Sequence, residues 1–389
     1  MNSGKTGADP FAAREVGAAL SEKIREISEG CARCGACRKE CAFLRKYGTP
    51  GEIADAYDPV DDLSLSMVFE CSLCRLCAAV CPAKLNPTEM FLEMRRERMQ
   101  RDPRPFPEHR GLLAYEKTGN SKLFACYALP AGCDTVFFTG CALPGTRPEQ
   151  TFQLYRKMQR AIPGLGVVME CCNKISHDLG RQVHFQAVFE KMRTCLVSRG
   201  VKKIIAACPN CYRMFDEYGR GLSVITAYEV LAEHAGSETL PGNQIIAVHD
   251  PCGLRFKEQA QAAVRRLVTR QGAQIEELRH SGRRTSCCGE GGGVRCLSPE
   301  LAGHWGKEIR EEAKGRRILT YCAGCANSLN GLTPTSHIVD FVCDPEATLA
   351  GRAKVSKPPV TYLNRLILKW RFRKAIDAHV IRNRGRVTV

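Results

Sequence analysis

Long apolar runs are missing from this 389-residue chain. No segment approaches the roughly 18 consecutive apolar residues that a membrane-spanning helix requires. Residues 1–14 contain neither an apolar stretch nor a cleavage signature, so no secretory signal is predicted. A nucleic-acid-reading element is missing as well, and nothing interleaves aromatic with basic residues. We therefore expect a cytoplasmic protein with reduced thiols and without a nucleic-acid partner.

Acidic residues are fewer than basic residues. The chain has 57 Lys and Arg against 41 Asp and Glu, a formal charge of +16. Residues 351–389 contain eleven Lys and Arg against one acid, Asp377, and so carry +10 of that total. A local excess of this kind indicates a partner rather than a fold.

Residues 362–379 in this basic stretch have the pattern of an amphipathic helix. Its apolar face and the basic residues around it are Leu363, Leu366, Ile367 and Trp370, and Arg365, Lys369, Arg371, Arg373 and Lys374. The helix either packs on the body with a solvated rim or docks on a partner. An acidic partner subunit is favoured over peripheral contact with an anionic membrane surface.

Cysteine, in contrast, is abundant, with 23 residues, of which eighteen fall into four spaced groups. Two groups share a short spacing: Cys31-x2-Cys34-x2-Cys37-x3-Cys41 and Cys71-x2-Cys74-x2-Cys77-x3-Cys81. Two share a long spacing: Cys141-x29-Cys171-Cys172-x35-Cys208-x2-Cys211 and Cys252-x34-Cys287-Cys288-x33-Cys322-x2-Cys325. In a large intracellular chain this density indicates metal ligation rather than disulfides.

The short groups have the spacing of two-cluster ferredoxins, in which the fourth cysteine of each run ligates the other cluster. One predicted [4Fe-4S] cubane is therefore held by Cys31, Cys34, Cys37 and Cys81, and the other by Cys71, Cys74, Cys77 and Cys41. Pro82 follows the second run as expected, whereas Ala42 replaces proline after the first. Structural zinc is the alternative, but it is typically bound by two separated pairs of ligands.

The long groups belong to an internal repeat whose equivalent cysteines lie 111 to 116 positions apart. Predicted strands at residues 135–139 and 245–249 run into Cys141 and Cys252. Predicted strands at residues 203–207 and 317–321 run into Cys208 and Cys322. Strands that alternate with helices predict parallel sheets, with ligands at the carboxyl ends of the strands.

The predicted fold class is α/β. We expect a helical two-cluster domain at residues 1–110, a first α/β repeat at 120–240, a second at 241–345 and a basic tail or helix at 346–389. The proline-rich residues 102–107 are predicted to form a stiff linker after the first domain.

The pattern Cys…Cys-Cys…Cys-x-x-Cys, in two copies behind two ferredoxin motifs, resembles the CCG-domain subunits of heterodisulfide reductases, in the fused form that also carries the ferredoxin motifs. It is also similar to the iron–sulfur subunits of glycolate, lactate and glycerol-3-phosphate dehydrogenases, and to electron-transfer subunits of benzoyl-CoA reductase complexes. The second copy reads Cys287-Cys288-Gly289, as the family name requires, whereas the first reads Cys171-Cys172-Asn173. Asn is the residue besides Gly that best tolerates positive φ, so the first site is expected to survive.

The resemblance implies that each five-cysteine set holds a noncubane [4Fe-4S] cluster, one of which zinc could replace. It also implies that these ten cysteines form the catalytic site, where a heterodisulfide binds between the clusters.

Residues near the cysteines have two interpretations each. Gly289, Gly291 and Gly292 either approach cluster sulfurs with their N–H groups or form a flexible turn. Lys174, with Arg255, Arg283 and Arg284, either offsets anionic clusters or is solvated surface. His177 and His249 either relay protons or only pack. Five further cysteines are expected to be buried small apolar residues: Cys126, Cys133, Cys195, Cys296 and Cys343.

By this resemblance the chain is an oxidoreductase subunit that relays electrons from two ferredoxin-type clusters to two noncubane clusters. The alternative is a pure conduit without a substrate site, linking a flavoprotein, a quinone or cytochrome b partner or an aromatic acyl-CoA reductase. A metal-stabilised scaffold without turnover is a third hypothesis. No flavin, nicotinamide or haem site is visible, so other redox subunits are expected to supply that chemistry, and one of them could hold the chain at the inner membrane.

Overall fold

A computed structural model describes residues 16–234, 244–376 and 379–381. The chain begins with a helical part and continues with two α/β parts that have parallel sheets, which confirms the predicted fold class. The predicted boundary between residues 240 and 241 lies outside the described residues.

The N-terminal part consists of short helices around two cysteine loops. Its helices are α1 (Ala18–Gly30), α2 (Ala36–Glu40), α3 (Ala42–Tyr47), α4 (Pro50–Asp55), α5 (Asp62–Met67), α6 (Leu76–Ala79), α7 (Pro87–Arg101) and α8 (Arg110–Gly119). Helix α4 begins at a capping box, in which Thr49 and Glu52 satisfy each other's backbone N–H groups. Helix α7 begins at Pro87, directly after its N-cap residue Asn86, and supplies Met90 and Phe91 to the core.

The first α/β part is built on a six-stranded sheet. Its strands are β1 (Cys126–Leu129), β2 (Thr135–Phe138), β3 (Gly166–Met169), β4 (Lys203–Ala206) and β5 (Ser223–Thr226), with β10 (His379–Ile381) from the end of the chain. The order is β10-β1-β3-β2-β4-β5. Its helices are α9 (Leu143–Thr146), α10 (Pro148–Ala161), α11 (Lys174–Asp178), α12 (Gln182–Val197), α13 (Pro209–Tyr218) and α14 (Ala227–His234).

The second α/β part has a four-stranded parallel sheet in the order β7-β6-β8-β9. Its strands are β6 (Ile245–His249), β7 (Gln274–Ile275), β8 (Ile318–Thr320) and β9 (Thr335–His337). The helices that follow are α15 (Glu258–Arg270), α16 (Val294–Leu297), α17 (Pro299–Ala313), α18 (Ala323–Asn330), α19 (Ile338–Cys343), α20 (Pro345–Leu349) and α21 (Val360–Ala375). The order repeats that of β3-β2-β4-β5, so the predicted duplication is present in the sheet topology.

The tail prediction is wrong at its C-terminal end. Helix α21 stops at Ala375 instead of continuing to His379. Residues 379–381 form β10, which pairs antiparallel with β1, and β1 pairs antiparallel with β3. The physical reason is an open sheet edge at β1, whose backbone N–H and C=O groups accept another strand.

The three parts share buried interfaces. The two α/β parts contribute to one apolar core, which includes Val168 and Ile205 from the first and Val248 and Leu319 from the second. A second core joins the helical part to the second α/β part through Trp305. Among the described residues, no helix combines the length and the apolar character needed to cross a membrane.

Candidate metal centres

The two short cysteine loops share one backbone conformation. Arg33 and Leu73 have φ of 50° and 53°, and two residues later Gly35 and Arg75 have φ of 75° and 65°. Helices α2 and α6 then begin directly after these positions. The repeated left-handed residues curl each loop around its first three cysteines, as an anion-binding concavity requires.

The first set of cysteines gathers around Cys37. Burial, together with the neighbouring thiols, raises the pKa of Cys37 to about 11; the neighbours are Cys31, Cys81 and Cys34. The structure therefore brings together the four residues of the first predicted set, including Cys81 from the other run.

The second set gathers around Cys41, whose pKa is raised well above its ordinary value by burial and by nearby thiols. Those thiols belong to Cys74, Cys71 and Cys77. Each run thus contributes its fourth cysteine to the other set. That the two sets bind iron stays a prediction.

The first long set lies at the carboxyl ends of the strands β2, β3 and β4. Cys141 comes shortly after β2, Cys171 and Cys172 follow β3, and Cys208 and Cys211 flank the start of α13. Hydrogen bonds link Cys141 to Cys171, and link Cys211 to both Cys172 and Cys208. All five thiols are thus brought into one neighbourhood.

The change from Gly to Asn after the first cysteine pair preserves the backbone. Asn173 has φ of 59°, and Gly289 at the equivalent position has φ of 82°. The Asn173 side chain donates to the carbonyl oxygen of Cys171 at 3.1 Å. The expectation that Asn adopts the left-handed conformation here is confirmed.

The second long set centres on Cys287. Its thiol is hydrogen-bonded to Cys252 and Cys288, and the Cys325 thiol is hydrogen-bonded to Cys288 and Cys322. The backbone N–H of Gly289 lies 3.2 Å from the Cys287 sulfur, to which it donates. One of the predicted glycines therefore has its N–H directed at a cysteine sulfur of this set.

His249, at the end of β6, completes this neighbourhood. One of its ring nitrogens and the sulfurs of Cys288 and Cys325 all lie within 4.8 Å of one another. The side chain is buried, and the Cys288 thiol is the hydrogen-bond partner of its ring among the described residues.

Contacts between thiols link the four sets. Cys37 of the first short set is near enough to Cys77 of the second to help raise the pKa of Cys77. Cys74 of the second short set is hydrogen-bonded to Cys287, a contact that lowers the pKa of Cys74 to about 5. Cys208 of the first long set is hydrogen-bonded to Cys322 of the second. The cysteine sites therefore form a continuous series through the interior.

Three buried arginines, one from each part of the chain, bind the loop Cys71–Cys74. Arg95 donates to the carbonyl oxygen of Cys71, Arg213 to that of Leu73 at 3.4 Å and Arg255 to that of Cys74 at 2.9 Å. Their exposed fractions are 0%, 7% and 1%. Arg95 and Arg255 have no carboxylate partner among the described residues, so their buried charge fits an anionic group held by the neighbouring thiols.

The other supporting residues have mixed outcomes. Gly291 and Gly292 pack against Ser72 and Cys71, so closely that an added Cβ would meet backbone atoms at 2.7 Å. They serve the contact between the two parts of the chain rather than a flexible turn.

Lys174 forms an ion pair with Asp178. It lies beside the first long set, and its predicted role toward a cofactor stays a prediction.

His177 is buried, and both of its ring nitrogens are engaged. Nδ1 lies 2.9 Å from Asp178 Oδ1, and Nε2 lies 2.9 Å from the Tyr218 hydroxyl. These contacts favour the interpretation of His177 as a packing residue.

Of the five unassigned cysteines, Cys126, Cys133 and Cys195 are buried as expected, whereas Cys296 and Cys343 are half-buried.

Two residues near the first long set were not found from the sequence. The Tyr115 hydroxyl on α8 is hydrogen-bonded to Cys141. Arg365 on α21 donates from Nε to the carbonyl oxygen of Cys141 at 3.0 Å, and its guanidinium lies 5.3 Å from the centre of the Tyr115 ring. Both helices lie outside the cysteine patterns, which therefore gave no signal for them.

The faces of α21 differ from the predicted arrangement. Arg365 and Lys369, expected on the solvated rim, are buried at 4% and 8% exposure. Both charged groups donate to backbone carbonyl oxygens, Arg365 to that of Cys141 and Lys369 to those of Lys122 and Leu123, while Nη1 of Arg365 has no partner among the described residues. Leu363, Ile367 and Trp370 of the predicted apolar face are instead exposed, by 57%, 46% and 56%.

Comparison with protein families assigns these parts. A 4Fe-4S dicluster domain matches residues 27–85, and a cysteine-rich domain, CCG, matches residues 135–216 and 246–330. The chain therefore contains a ferredoxin-type dicluster domain followed by two CCG domains. The matches support iron–sulfur clusters as its cofactors and a heterodisulfide reductase-like oxidoreductase as its class.

Relatives are found among the components of redox enzymes. One, from the fumarate reductase (CoM/CoB) of Methanothermobacter marburgensis, is 25% identical over 76% of this chain and 66% of its own length. Another, from the dihydromethanophenazine:CoB–CoM heterodisulfide reductase of Methanosarcina barkeri, is 25% identical over 73% of this chain and 83% of its own length. A third relative, EtfAB:quinone oxidoreductase of Syntrophomonas wolfei, is 25% identical over 64% of this chain. The match covers only 39% of that protein's length.

Proposed function

We propose that this chain is an electron-relaying subunit of a larger oxidoreductase. The two short cysteine sets hold cubane [4Fe-4S] clusters, and the two long sets hold noncubane [4Fe-4S] clusters. The observation that carries the proposal is the pair of thiol contacts, Cys74 with Cys287 and Cys322 with Cys208. They support a path from the ferredoxin-type domain into the second CCG domain and from there into the first.

The surroundings of the path support a relay of negative charge. Bound clusters would supply one-electron steps, and each reduction adds a negative charge to the interior. Arg95, Arg213 and Arg255 fix the loop of the second short set and offset that charge. Arg365 likewise donates to the carbonyl oxygen of a cysteine, that of Cys141. The hydrogen bond with Cys171 and this guanidinium lower the pKa of Cys141.

For the catalytic version, we propose reduction of a disulfide between the two long sets. This reaction takes two electrons and two protons and gives two thiols, so two one-electron centres beside each other suit it. The contact between Cys208 and Cys322 makes the two sets neighbours.

The conduit version has its own support. Two cavities, of about 420 and 490 Å³, are lined without any of the eighteen grouped cysteines. The larger one lies along α12, and the other lies between Glu40 and His280. In this version the chain only passes electrons between partner proteins, and a flavoprotein or a quinone-reacting partner supplies the two-electron chemistry.

The first experiment is to count metals in anaerobically purified protein. Four four-iron clusters predict about 16 iron atoms and a similar amount of acid-labile sulfide per chain. A colourless protein with zinc and without sulfide would leave only the scaffold hypothesis.

The second experiment separates catalysis from conduction. The isolated iron-loaded chain is given a reduced viologen and a heterodisulfide, and thiol release is followed. Release of two thiols per two electrons supports the catalytic version. Intact clusters without thiol release support the conduit.

A further inference from the structure

The two CCG domains differ at one buried position beside their cysteines. His249 is the third residue before Cys252, and Phe138 is the third residue before Cys141. Both end the central strand of their sheet, where Phe138 pairs with Ala206 and His249 with Thr320. Because Ala206 and Thr320 each precede Cys208 and Cys322 by two residues, the two positions are equivalent in structure.

The environments of these two side chains are different. Phe138 packs edge-on against Phe215, with ring centres 5.0 Å apart, which suits an apolar ring. His249 is 1% exposed, and neither of its ring nitrogens has an oxygen or nitrogen hydrogen-bond partner among the described residues. A buried imidazole without any hydrogen bond is rarely retained, because its N–H loses the bond it had to water.

The sulfurs of Cys288 and Cys325 lie within 4.8 Å of one imidazole nitrogen and can supply the missing acceptor. Thiolates and cluster sulfides offer lone pairs and no protons, so the matching group is an imidazole N–H donor. The second set already has five thiolates, more than the four ligands of a cubane, and needs no nitrogen ligand to bind iron.

We propose that His249 donates an N–H···S hydrogen bond to the second CCG centre, and that the first CCG centre has no equivalent donor. Hydrogen bonds to cluster sulfurs stabilise the more negative, reduced state, so His249 raises the reduction potential of the second centre. His249 is thus a positioning residue that distinguishes the second centre from the first, where phenylalanine takes the equivalent position. The inference rests on the proposed function, because it requires an iron–sulfur centre on the second set.

The test uses full-length protein labelled with ¹⁵N-histidine and purified without oxygen. A Cys171→Ala/Cys211→Ala background removes the first CCG centre, so that the remaining noncubane signal comes from the second. Pulsed EPR then measures ¹⁵N coupling in three versions: His249, His249→Phe and His249→Gln. Phenylalanine is the residue that the first copy places here, and glutamine keeps an N–H donor.

We expect a weak ¹⁵N coupling in the His249 protein and none in His249→Phe. The midpoint potential of the second centre should be lowest in His249→Phe, with His249→Gln between the two. A His304→Gln control, at a residue 48% exposed, should change neither quantity.

Three results would overturn the proposal. One is a coupling, or a potential, that His249→Phe leaves unchanged. Another is a coupling strong enough for a direct iron–nitrogen bond. The third is loss of second-centre iron in both variants, which identifies a metal ligand. In each case iron and sulfide in the His249 protein show that the proposed function stands, whereas their absence from that protein means that both proposals fail.

Discussion

Arg95 shows how one residue can fix the junction of three parts of the chain. Its guanidinium lies in the interior and donates to the carbonyl oxygens of Val68, Cys71, Asp178 and Gly292. Burial lowers the pKa of Arg95 to about 10, but this value is still high enough for the guanidinium to be charged at neutral pH. The four carbonyl oxygens come from the helical part and from both CCG domains, so this side chain couples their positions.

Replacing Arg95 with methionine should destabilise the whole chain. The variant removes the donor of the Cys71, Asp178 and Gly292 carbonyl oxygens, each at a cost of about 1–3 kcal/mol, whereas the Val68 oxygen still accepts from the backbone of Cys71. We expect a total loss of at least about 3 kcal/mol in the free energy of unfolding. Anaerobic thermal unfolding followed by circular dichroism should show a melting temperature lower by on the order of 5 °C. Arg104→Met, at a side chain 87% exposed, is the control and should melt like the unaltered protein. Equal melting of both variants would contradict this role of Arg95.

The ion pair between Arg147 and Asp340 joins the two CCG domains. Arg147 Nε lies 2.7 Å from Asp340 Oδ2, and the side chains are 5% and 1% exposed. Burial raises the pKa of Asp340, and Arg147 opposes that rise. A raised pKa favours the protonated folded state, so the contribution of Asp340 to stability is greatest at low pH and declines as pH rises through its folded pKa.

Arg147→Met should therefore be costly in a pH-dependent way. Without the guanidinium the pKa of Asp340 rises further, and the unpaired carboxylate costs about 3–5 kcal/mol at pH 8. At pH 5 protonation of Asp340 should reduce that loss, and His337, whose pKa Arg147 helps to lower, acts in the same direction. Melting temperatures at the two pH values measure the difference.

A matched exposed pair provides the control for this prediction. Arg371→Met removes the partner of Glu149, whose side chain is 54% exposed, and should cost less than about 1 kcal/mol at either pH. If Arg147→Met lost the same stability at pH 5 and pH 8, the carboxylate would not be the source of the loss.

At the scale of elements, the strands that lead into cysteines were predictable because each is a short apolar run that ends just before a cysteine of the long groups. The structure places β2, β4, β6 and β8 within one or two residues of the predicted bounds. The edge strand β10 and its neighbour β1 were not predictable, because their pairing joins distant segments and carries no local pattern. Position Asn173 was predictable because its requirement is a single left-handed residue.

Helix α21 shows where periodicity misleads. Amphipathic patterning assigns arginine and lysine to solvent. Arg365 and Lys369 are nevertheless buried, because backbone carbonyl oxygens accept hydrogen bonds from their charged groups. Leu368 and Phe372, both 0% exposed, hold the helix on the first CCG domain. The apolar side chains of Leu363, Ile367 and Trp370 remain exposed on the outer side of the helix, where a partner protein can contact them.

Changing that exposed face should release a partner protein without unfolding the chain. In the variant Leu363→Ser/Ile367→Ser/Trp370→Ser, size-exclusion chromatography of the complex from the native host should show the chain alone, with unchanged iron content. Val183→Ser, at an exposed apolar residue on α12, is the control and should keep the complex. An unchanged elution volume for the triple variant would contradict docking here. Deleting the helix is a poorer test, because it also removes Leu368 and Phe372 from the core.

The whole molecule packs its cysteine sets so that one short set lies inside and the other lies toward one end. The inner set contains Cys74, which contacts Cys287, whereas Cys34 of the outer set is exposed. The sequence could not predict this arrangement, because two identical spacings give no reason to prefer either run. The preference arises from Arg95, Arg213 and Arg255, which surround only the second loop.

This asymmetry predicts different effects of removing the two ferredoxin-type centres. Loss of the inner centre, by Cys71→Ala/Cys77→Ala, should separate the outer centre from the two CCG centres. Loss of the outer centre, by Cys31→Ala/Cys37→Ala, should leave the other three in contact. After rapid reduction, freeze-quench EPR should show electron exchange between the ferredoxin-type and CCG centres slowed at least about tenfold in the first variant only, since only there is a centre missing between donor and acceptor.

The prediction does not depend on the direction of electron flow, because the inner centre lies between the others whichever end receives the electrons. Each variant must first be shown to have lost about four irons, so that a missing centre and a damaged fold are distinguished. Fast exchange in the variant without the inner centre would mean that electrons bypass Cys74 and Cys287. The contact between these two thiols would then be a packing contact, and the arginines around it would serve stability alone.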